Sequence, residues 1–348
     1  SFYTFSAGGY LVDVYRQKTP PQKNLLRLGL YLALFPKLVM GPIVPYHELE
    51  PALAQRTIDA QDVSDGCFRF TIGLAKKALL ADALAGLVTG IWGDLASLTV
   101  LSAWLGLIGY ALQLYFDFSG YSDMAIGLGR MLGFRFPENF RYPYLCSSIS
   151  DFWRRWHISL GSWFKEYLYF PLGGSRTGTL RTLRNLLLVW LATGLWHGAS
   201  WNYVLWGLYF GVLICLEKLL APRFWAHPRK GLLAGLYRPV CLLLAVLGWV
   251  LFRAEDLPAA GRYFACLFGG AAGASAQARL YLHDFWPVLL LGAVGATPLC
   301  AKLAGRLGAK LQPGVRAAVQ AVLVLALLAC STVWLLNGSF QSFVYFQF

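Results

Sequence analysis

Charged residues are scarce in this chain. They make up 14% of the 348 residues, whereas a soluble globular protein carries about 25%. Hydrophobic residues make up 57%, which excludes a disordered chain. So few charges cannot cover a soluble protein of this size. The composition therefore predicts a membrane protein, although a prior of roughly 150 residues per domain would suggest two soluble domains.

Paired cysteines and grouped metal ligands are also lacking. The seven cysteines are scattered, odd in number and without any Cys-x-x-Cys spacing, which excludes a secreted disulfide scaffold. We expect them to act as small buried hydrophobes. There are only five histidines, and His157 and His197 have no third His, Cys or carboxylate at ligand spacing. We therefore expect no metal site.

Acidic residues are outnumbered by basic ones, 17 to 30, which gives a net charge of +13. The basic residues stand in short clusters between apolar runs and do not form one soluble face. In a membrane chain this pattern favours cytoplasmic loops and lipid headgroup contacts. We expect the lipid bilayer as a partner and no nucleic acid.

Long apolar runs predict membrane helices, since about 20 residues cross the hydrocarbon core. Residues 95–116 and the first part of 317–348 reach this length without Asp, Glu, Lys or Arg. Residues 185–216 are equally free of these charges but carry a polar break near His197, which predicts two helices meeting there. Weaker candidates are residues 25–44, 67–92, 231–252 and 285–301.

The fold class follows from backbone hydrogen bonding. Unpaired backbone groups are not tolerated in lipid, and no segment shows the period-2 alternation of a barrel strand. We therefore predict an all-α, polytopic membrane helix bundle. Residues 117–184 mix aromatic side chains with charges, Gly and Pro, which predicts short interfacial or re-entrant helices. Residues 261–279 are rich in Gly and Ala and predict an extramembrane loop.

His197 lies between apolar segments, next to Trp196 and Gly198 and near Asn202. Ionisable groups in membrane segments are costly, so a functional role is the default interpretation. An imidazole here could act as a general base near neutral pH. The alternative is a histidine that only bonds a neighbouring helix.

His157 ends the run Trp-Arg-Arg-Trp-His at residues 153–157. In a helix, Asp151 would pair with Arg155 at i, i+4. The adjacent Arg154 and Arg155, framed by tryptophans, suit either a phosphate-bearing cofactor or headgroup anchoring.

Asp117 and Asp123 follow a long apolar run. They could stabilise a polar cavity, cap the next helix or mark the membrane edge, and capping is the favoured interpretation. His47, His227 and His283 stand in polar or Pro-neighboured stretches and are interpreted as surface loop positions.

Several motifs follow one another along the chain: residues 1–5 with 10–16, 115–123, 137–140 with Pro143-Tyr144, 151–160, 167–174, Gly194-Leu195-Trp196-His197-Gly198 and the terminal 345–348. In this order they resemble the membrane-bound O-acyltransferase (MBOAT) family, in its bacterial alginate O-acetylation branch. The Trp-Arg-Arg-Trp-His and Trp-His-Gly elements are highly specific. Lys165-Glu166 stands where relatives often have Arg-Asp, and Gly161 where Ser is common.

The resemblance implies one MBOAT domain over residues 1–348, with short re-entrant helices around a central funnel. It further implies that His197 is the catalytic histidine and His157 the second signature histidine. The expected donor-binding residues are Trp196, Asn202, Arg154, Arg155, Asp117 and Asp123. Family members carry further N-terminal helices before the Ser-Phe-Tyr motif, so we expect the full-length protein to have them.

The activity implied is transfer of an acyl group, usually acetyl, from a cytoplasmic thioester such as acetyl-CoA to an extracytoplasmic polysaccharide resembling alginate. The protein would be a multi-pass protein of the bacterial inner membrane, without a bound cofactor and with a periplasmic or extracellular acyltransferase as partner. Peptidoglycan or another envelope glycan is an alternative acceptor. A non-catalytic transporter of acyl donor or sugar, or a scaffold, is the alternative from another class.

Overall fold

The computed structural model describes residues 2–176, 178–224, 232–338 and 343, without the side chains of 221–224 and 232–234. His227 and the terminal residues 344–348 lie outside the described residues. Within the described ranges all regular structure is helical, which confirms the predicted all-α fold.

The described ranges contain fifteen α-helices. They are α1 Phe2–Tyr15, α2 Leu25–Ala33, α3 Tyr46–Ala54, α4 Ala60–Ala75, α5 Asp82–Trp92, α6 Val100–Met131, α7 Ile149–Trp153, α8 Ile158–Phe164, α9 Thr179–His197, α10 Trp201–Phe224, α11 Leu232–Arg253, α12 Leu257–Leu267, α13 Ala276–Gly295, α14 Leu299–Gly308 and α15 Pro313–Asn337. Two π-helical turns, Lys76–Ala81 and Lys165–Tyr169, continue α4 and α8. Single 3-10 turns lie at Phe35–Lys37 and Pro143–Leu145.

Helix α6 is the central helix of the bundle. It begins at a capping box in which Thr99 and Ser102 satisfy each other's backbone N–H groups. The apolar run predicts an end at Phe116, but the helix continues to Met131 and 78% of its most apolar stretch is buried. Asp117 and Asp123 therefore lie inside α6, and neither caps a helix as predicted. Lysine and arginine side chains of α4 and its π turn pair with both carboxylates.

Four of the described helices are long and apolar enough to cross a membrane: α6, α15 and the segments Trp201–Leu220 of α10 and Gly235–Arg253 of α11. The count rises to five if α13 and α14 act as one span, and this pair is bent by 68°. The prediction that residues 25–44 form a span is wrong. Helix α2 has nine residues, about 14 Å of helix, and is followed by a turn at Pro36.

Helices α9 and α10 form an antiparallel pair around the predicted polar break. Helix α9 ends at His197 and α10 begins at Trp201, so the break is confirmed. The two backbones approach closely at Gly194 and Gly207. A Cβ on Gly207 would lie 2.4 Å from the carbonyl oxygen of Trp190, so only glycine fits at this crossing.

The short helices α7 and α8 lie inside the bundle. They confirm the short elements expected within residues 117–184, whereas residues 117–131 belong to α6 and 179–184 to α9. Trp153 and Trp156 pack against Trp206, Phe210 and Trp249 of the long helices. This burial lets a polar, aromatic segment sit within a membrane bundle without facing lipid. The predicted loop 261–279 begins instead as the second half of α12, and its remainder is irregular up to Ser275.

Candidate active site

His157 and His197 line the same cavity, which has a volume of about 420 Å³. Aromatic and aliphatic side chains form most of its wall, and Ser162 and Thr193 add hydroxyl groups. Forty residues separate the two histidines in the chain. The packing of α7 and α8 against the α9–α10 pair brings them together.

His197 is the last residue of α9, and Gly198 lets the chain leave the helix there in an extended conformation. Its ring lies among aromatic neighbours, with centroid distances of 4.6 Å to Trp196, 4.9 Å to Trp206 and 5.0 Å to Phe252. These rings exclude water from the imidazole on several sides. A proton acceptor in such surroundings interacts strongly with a substrate hydroxyl.

His157 is buried and joins α7 to α8. Its backbone is in the left-handed region, with φ of 46°, which costs a non-glycine residue roughly 1–2 kcal/mol. Phe118 of α6 packs edge-on against the ring at 4.7 Å. Nδ1 lies 3.3 Å from Oδ1 of Asn139, and Nε2 has no hydrogen-bond partner among the described residues. Strained, buried residues of this kind mark functional sites.

Helix α7 is held in place from both ends. Glu217 of α10 accepts hydrogen bonds from the backbone N–H groups of Ile149 and Ser150. Asp151 pairs with Arg155 at 3.0 Å, as predicted for i, i+4. Burial acts to raise the pKa of Asp151, but hydrogen bonds from Ser147 and Arg155 outweigh it and hold that pKa below its ordinary value.

The rim of the cavity carries two cations, Arg154 and Lys165. The Arg154 side chain is 69% exposed, and its guanidinium lies 3.6 Å from Asp151. Lys165 lies in the π turn after α8, with Nζ 5.5 Å from the centre of the Phe170 ring. In the sequence, Lys165 stands out only as a departure from relatives. Its distance of eight residues from His157, about two helical turns, is the signal that would have found it.

The other expected donor-binding residues lie outside the lining of this cavity. The Arg155 side chain pairs with Asp151, and Asn202 donates to the carbonyl of Ala254, which ties α10 to the end of α11. Asp123 pairs with Arg69 and Lys76, and Asp117 with Lys77. Trp196 packs at 5.4 Å from the Phe5 ring. Of the six, the structure brings only Arg154 to the histidines' cavity, and the donor-binding role of each stays a prediction.

A second cavity of about 380 Å³ adjoins the first. Ile158, Ser162 and Lys165 line both, so α8 forms the wall between them. The second cavity is more polar. His47 lines it 3.4 Å from the buried Asp13 carboxylate. Its side chain is 41% exposed, as predicted for a surface position, but it lies in α3 and not in a loop.

The chemistry available at this site is proton transfer within an apolar chamber. Two imidazoles that line one cavity can accept or pass on the proton of a hydroxyl nucleophile. Within the described ranges, no three of His, Cys, Asp and Glu lie together as a metal ion would require.

Comparison with known proteins identifies the family. Residues 15–230 match the model of the membrane-bound O-acyltransferase family. A protein named "probable alginate O-acetylase" from Pseudomonas fluorescens is 47% identical over 272 residues, 77% of this chain and 53% of that protein. The peptidoglycan O-acetyltransferase of Helicobacter pylori is 37% identical over 289 residues, 75% of this chain and 54% of that protein.

A more distant relative is the teichoic acid D-alanyltransferase of Bacillus subtilis, 29% identical over 267 residues, 72% of this chain and 66% of that protein. The chain spans about half the length of the alginate O-acetylases that it matches. The family match covers the motifs of both histidines and every residue that lines their cavity except Trp249 and Phe252. The chain belongs to the membrane-bound O-acyltransferase family and is a multi-pass membrane helix bundle.

Proposed function

We propose that this chain transfers an acyl group, acetyl in the first instance, from a thioester to a hydroxyl of an extracytoplasmic polysaccharide resembling alginate. The observation that carries the proposal is the meeting of His157 and His197 at one largely apolar cavity with cations at its rim. Relatives named as O-acetylases of alginate and peptidoglycan support it.

In the proposed reaction, His197 takes the proton of the attacking hydroxyl. The hydroxyl oxygen then bonds to the thioester carbonyl carbon, and the carbon–sulfur bond breaks. The departing sulfur receives a proton from the imidazolium, so the products are an ester and a free thiol. His157 lines the same cavity, where it can hold a hydrogen bond to a reactant or pass on the proton.

The donor that suits this cavity is an acyl thioester such as acetyl-CoA. The aromatic wall suits the acyl group and the uncharged arm of the donor. Arg154 and Lys165 at the rim suit its phosphates, because charge-assisted hydrogen bonds to phosphate are strong. The proposal needs no resident cofactor.

The proposed setting is the bacterial inner membrane, with the donor on the cytoplasmic side. An extracytoplasmic acyltransferase would receive the acyl group or help to deliver it to the polymer. Peptidoglycan is the second candidate acceptor, since the relative that carries this name is 37% identical.

Acetyl transfer in proteoliposomes tests the proposal. We expect wild-type protein with labelled acetyl-CoA and alginate to form a labelled polymer, and His197→Ala to lose at least about 100-fold in rate, because a positioned base contributes that much. His283→Ala is the matched control, since its side chain is 83% exposed on α13 and lies outside the cavity.

Two results would contradict the proposal. One is full acetylation by His197→Ala. The other is passage of intact donor across the membrane without thioester cleavage, which is the behaviour of a transporter. Offering peptidoglycan in place of alginate separates the two acceptors.

A further inference from the structure

We propose that Asn139 is a positioning residue for His157: its side chain fixes the tautomer of the imidazole, so that Nε2 keeps the lone pair available to the cavity. The inference rests on the proposed function only in giving His157 a role in transfer. Asn139 follows α6 in the chain and is fully buried. It forms hydrogen bonds with three consecutive residues at the start of α8, His157, Ile158 and Ser159.

The orientation of the Asn139 amide follows from its neighbours. The backbone N–H of Ser159 lies 3.1 Å from Oδ1, and a backbone N–H can only donate, so the atom it meets is an oxygen. The Ser159 hydroxyl also donates to Oδ1, at 3.0 Å. On the other side, Nδ2 donates to the hydroxyl of Ser122 on α6 at 3.2 Å.

The tautomer of His157 follows from the same oxygen. Nδ1 of His157 lies 3.3 Å from Oδ1 of Asn139, which has no hydrogen to donate. Nδ1 must therefore carry the proton for this contact to be a hydrogen bond. A neutral imidazole has only one N–H, so Nε2 is left as the acceptor. This nitrogen has no partner among the described residues, and its ring lines the cavity.

The backbone of Asn139 supports the strained conformation of His157. Its carbonyl accepts the N–H of Ile158 at 3.0 Å, and Arg141 N–H donates to the carbonyl of Arg155 at 2.9 Å. Residues 139–141 thus pair with 155–158 on both sides of His157. This pairing holds the residue in its left-handed conformation and leaves the ring few orientations.

Three variants test the inference. Asn139→Leu keeps a similar volume but removes the acceptor oxygen, and Asn139→Asp keeps an oxygen. Asn185→Leu is the matched control, because Asn185 is equally buried and donates to the carbonyls of Leu172 and Gly174, outside the histidines' cavity.

The first readout is spectroscopic and needs no activity. In detergent-purified protein labelled with nitrogen-15 histidine, wild-type His157 should show a protonated Nδ1 and an unprotonated Nε2. Asn139→Leu should show a mixture of the two tautomers, or the tautomer with its proton on Nε2. Asn185→Leu should show the wild-type tautomer. A wild-type ring with its proton on Nε2, or the same pattern in Asn139→Leu, would overturn the inference.

The second readout is kinetic and compares the change in kcat with the change in KM for each variant. We expect Asn139→Leu to lower kcat by roughly 100-fold per folded molecule, with little change in KM for acetyl-CoA. Asn139→Asp should recover most of kcat, and the acid limb of its pH profile should move to higher pH because the imidazolium gains a counter-charge. A loss in Asn139→Leu no larger than in Asn185→Leu overturns the inference. If wild type transfers no acetyl group, the proposed function fails, and the spectra alone decide on the tautomer.

Discussion

At the scale of single residues, two adjacent arginines have different surroundings. The Arg154 side chain is mostly exposed and lines the rim of the cavity, whereas the Arg155 side chain lies against Asp151 and the carbonyl of Arg141. Arg154 keeps a longer contact of 3.6 Å with Asp151, whereas Arg155 lies 3.0 Å from the same carboxylate and holds the turn that carries His157. We therefore expect Arg154 to contact the donor and Arg155 to serve local structure.

This difference predicts separate defects. Arg154→Leu should raise KM for acetyl-CoA about tenfold with little change in kcat, because it removes one charge-assisted contact to phosphate. Arg155→Leu should lower the melting temperature and leave KM of the folded fraction near wild type. Steady-state kinetics beside thermal melting separate the two. Equal changes in KM for both variants would contradict this division.

At the scale of the helices, the α9–α10 crossing sets where His197 lies. Gly194 and Gly207 meet at this crossing, and each would place a Cβ 2.4 Å from a carbonyl oxygen of the other helix. Small residues allow the backbones of membrane helices to approach in this way. A change in this spacing would move the end of α9 and with it His197.

Gly207→Ala should therefore destabilise the protein by about 1–3 kcal/mol, because the helices must move apart. Acetyl transfer should fall with it. Gly29→Ala on α2 is the control, since nothing lies within 4 Å of the position that the added methyl group would occupy. Thermal melting in detergent checks both variants, and an unchanged midpoint for Gly207→Ala would argue against the close crossing.

At the scale of the whole molecule, buried ion pairs tie the central helices together. Lys77, in the π turn after α4, lies 2.7 Å from Asp82 and 2.8 Å from Asp117 of α6, and all three side chains are less than 10% exposed. Asp123, two turns further along α6, pairs with Arg69 and Lys76. These contacts explain how a helix with two aspartates can lie in the middle of an apolar bundle.

Removing one member of such a group leaves a buried charge without its partner. Lys77→Met should destabilise the fold by about 3–5 kcal/mol. Lys302→Met, at an exposed position on α14, should leave stability close to that of wild type. Denaturant titration in detergent measures both. Similar small effects would show that the Lys77 pairs contribute little to stability.

Much of the architecture is predictable from apolar runs. The α9–α10 break, α11 and α15 follow from stretches with few charges and a polar interruption. Residues 25–44 are mispredicted because the apolar run suggests one helix, although Pro36 lies within it. The end of α6 is mispredicted because Asp117 resembles a membrane boundary, and its lysine partner lies forty residues earlier in the chain.

Composition and local motifs are enough to predict a membrane environment, the helical class, the family resemblance and the two histidine motifs. These properties depend on what each stretch can bury and not on its neighbours in space. Packing between distant segments, in contrast, brings His157 and His197 to one cavity and places Lys165 rather than Arg155 beside Arg154 at its rim. The same packing sets Asn139 against His157. Side-chain direction in a short, buried segment depends on packing between distant parts of the chain, and a linear pattern does not contain that information.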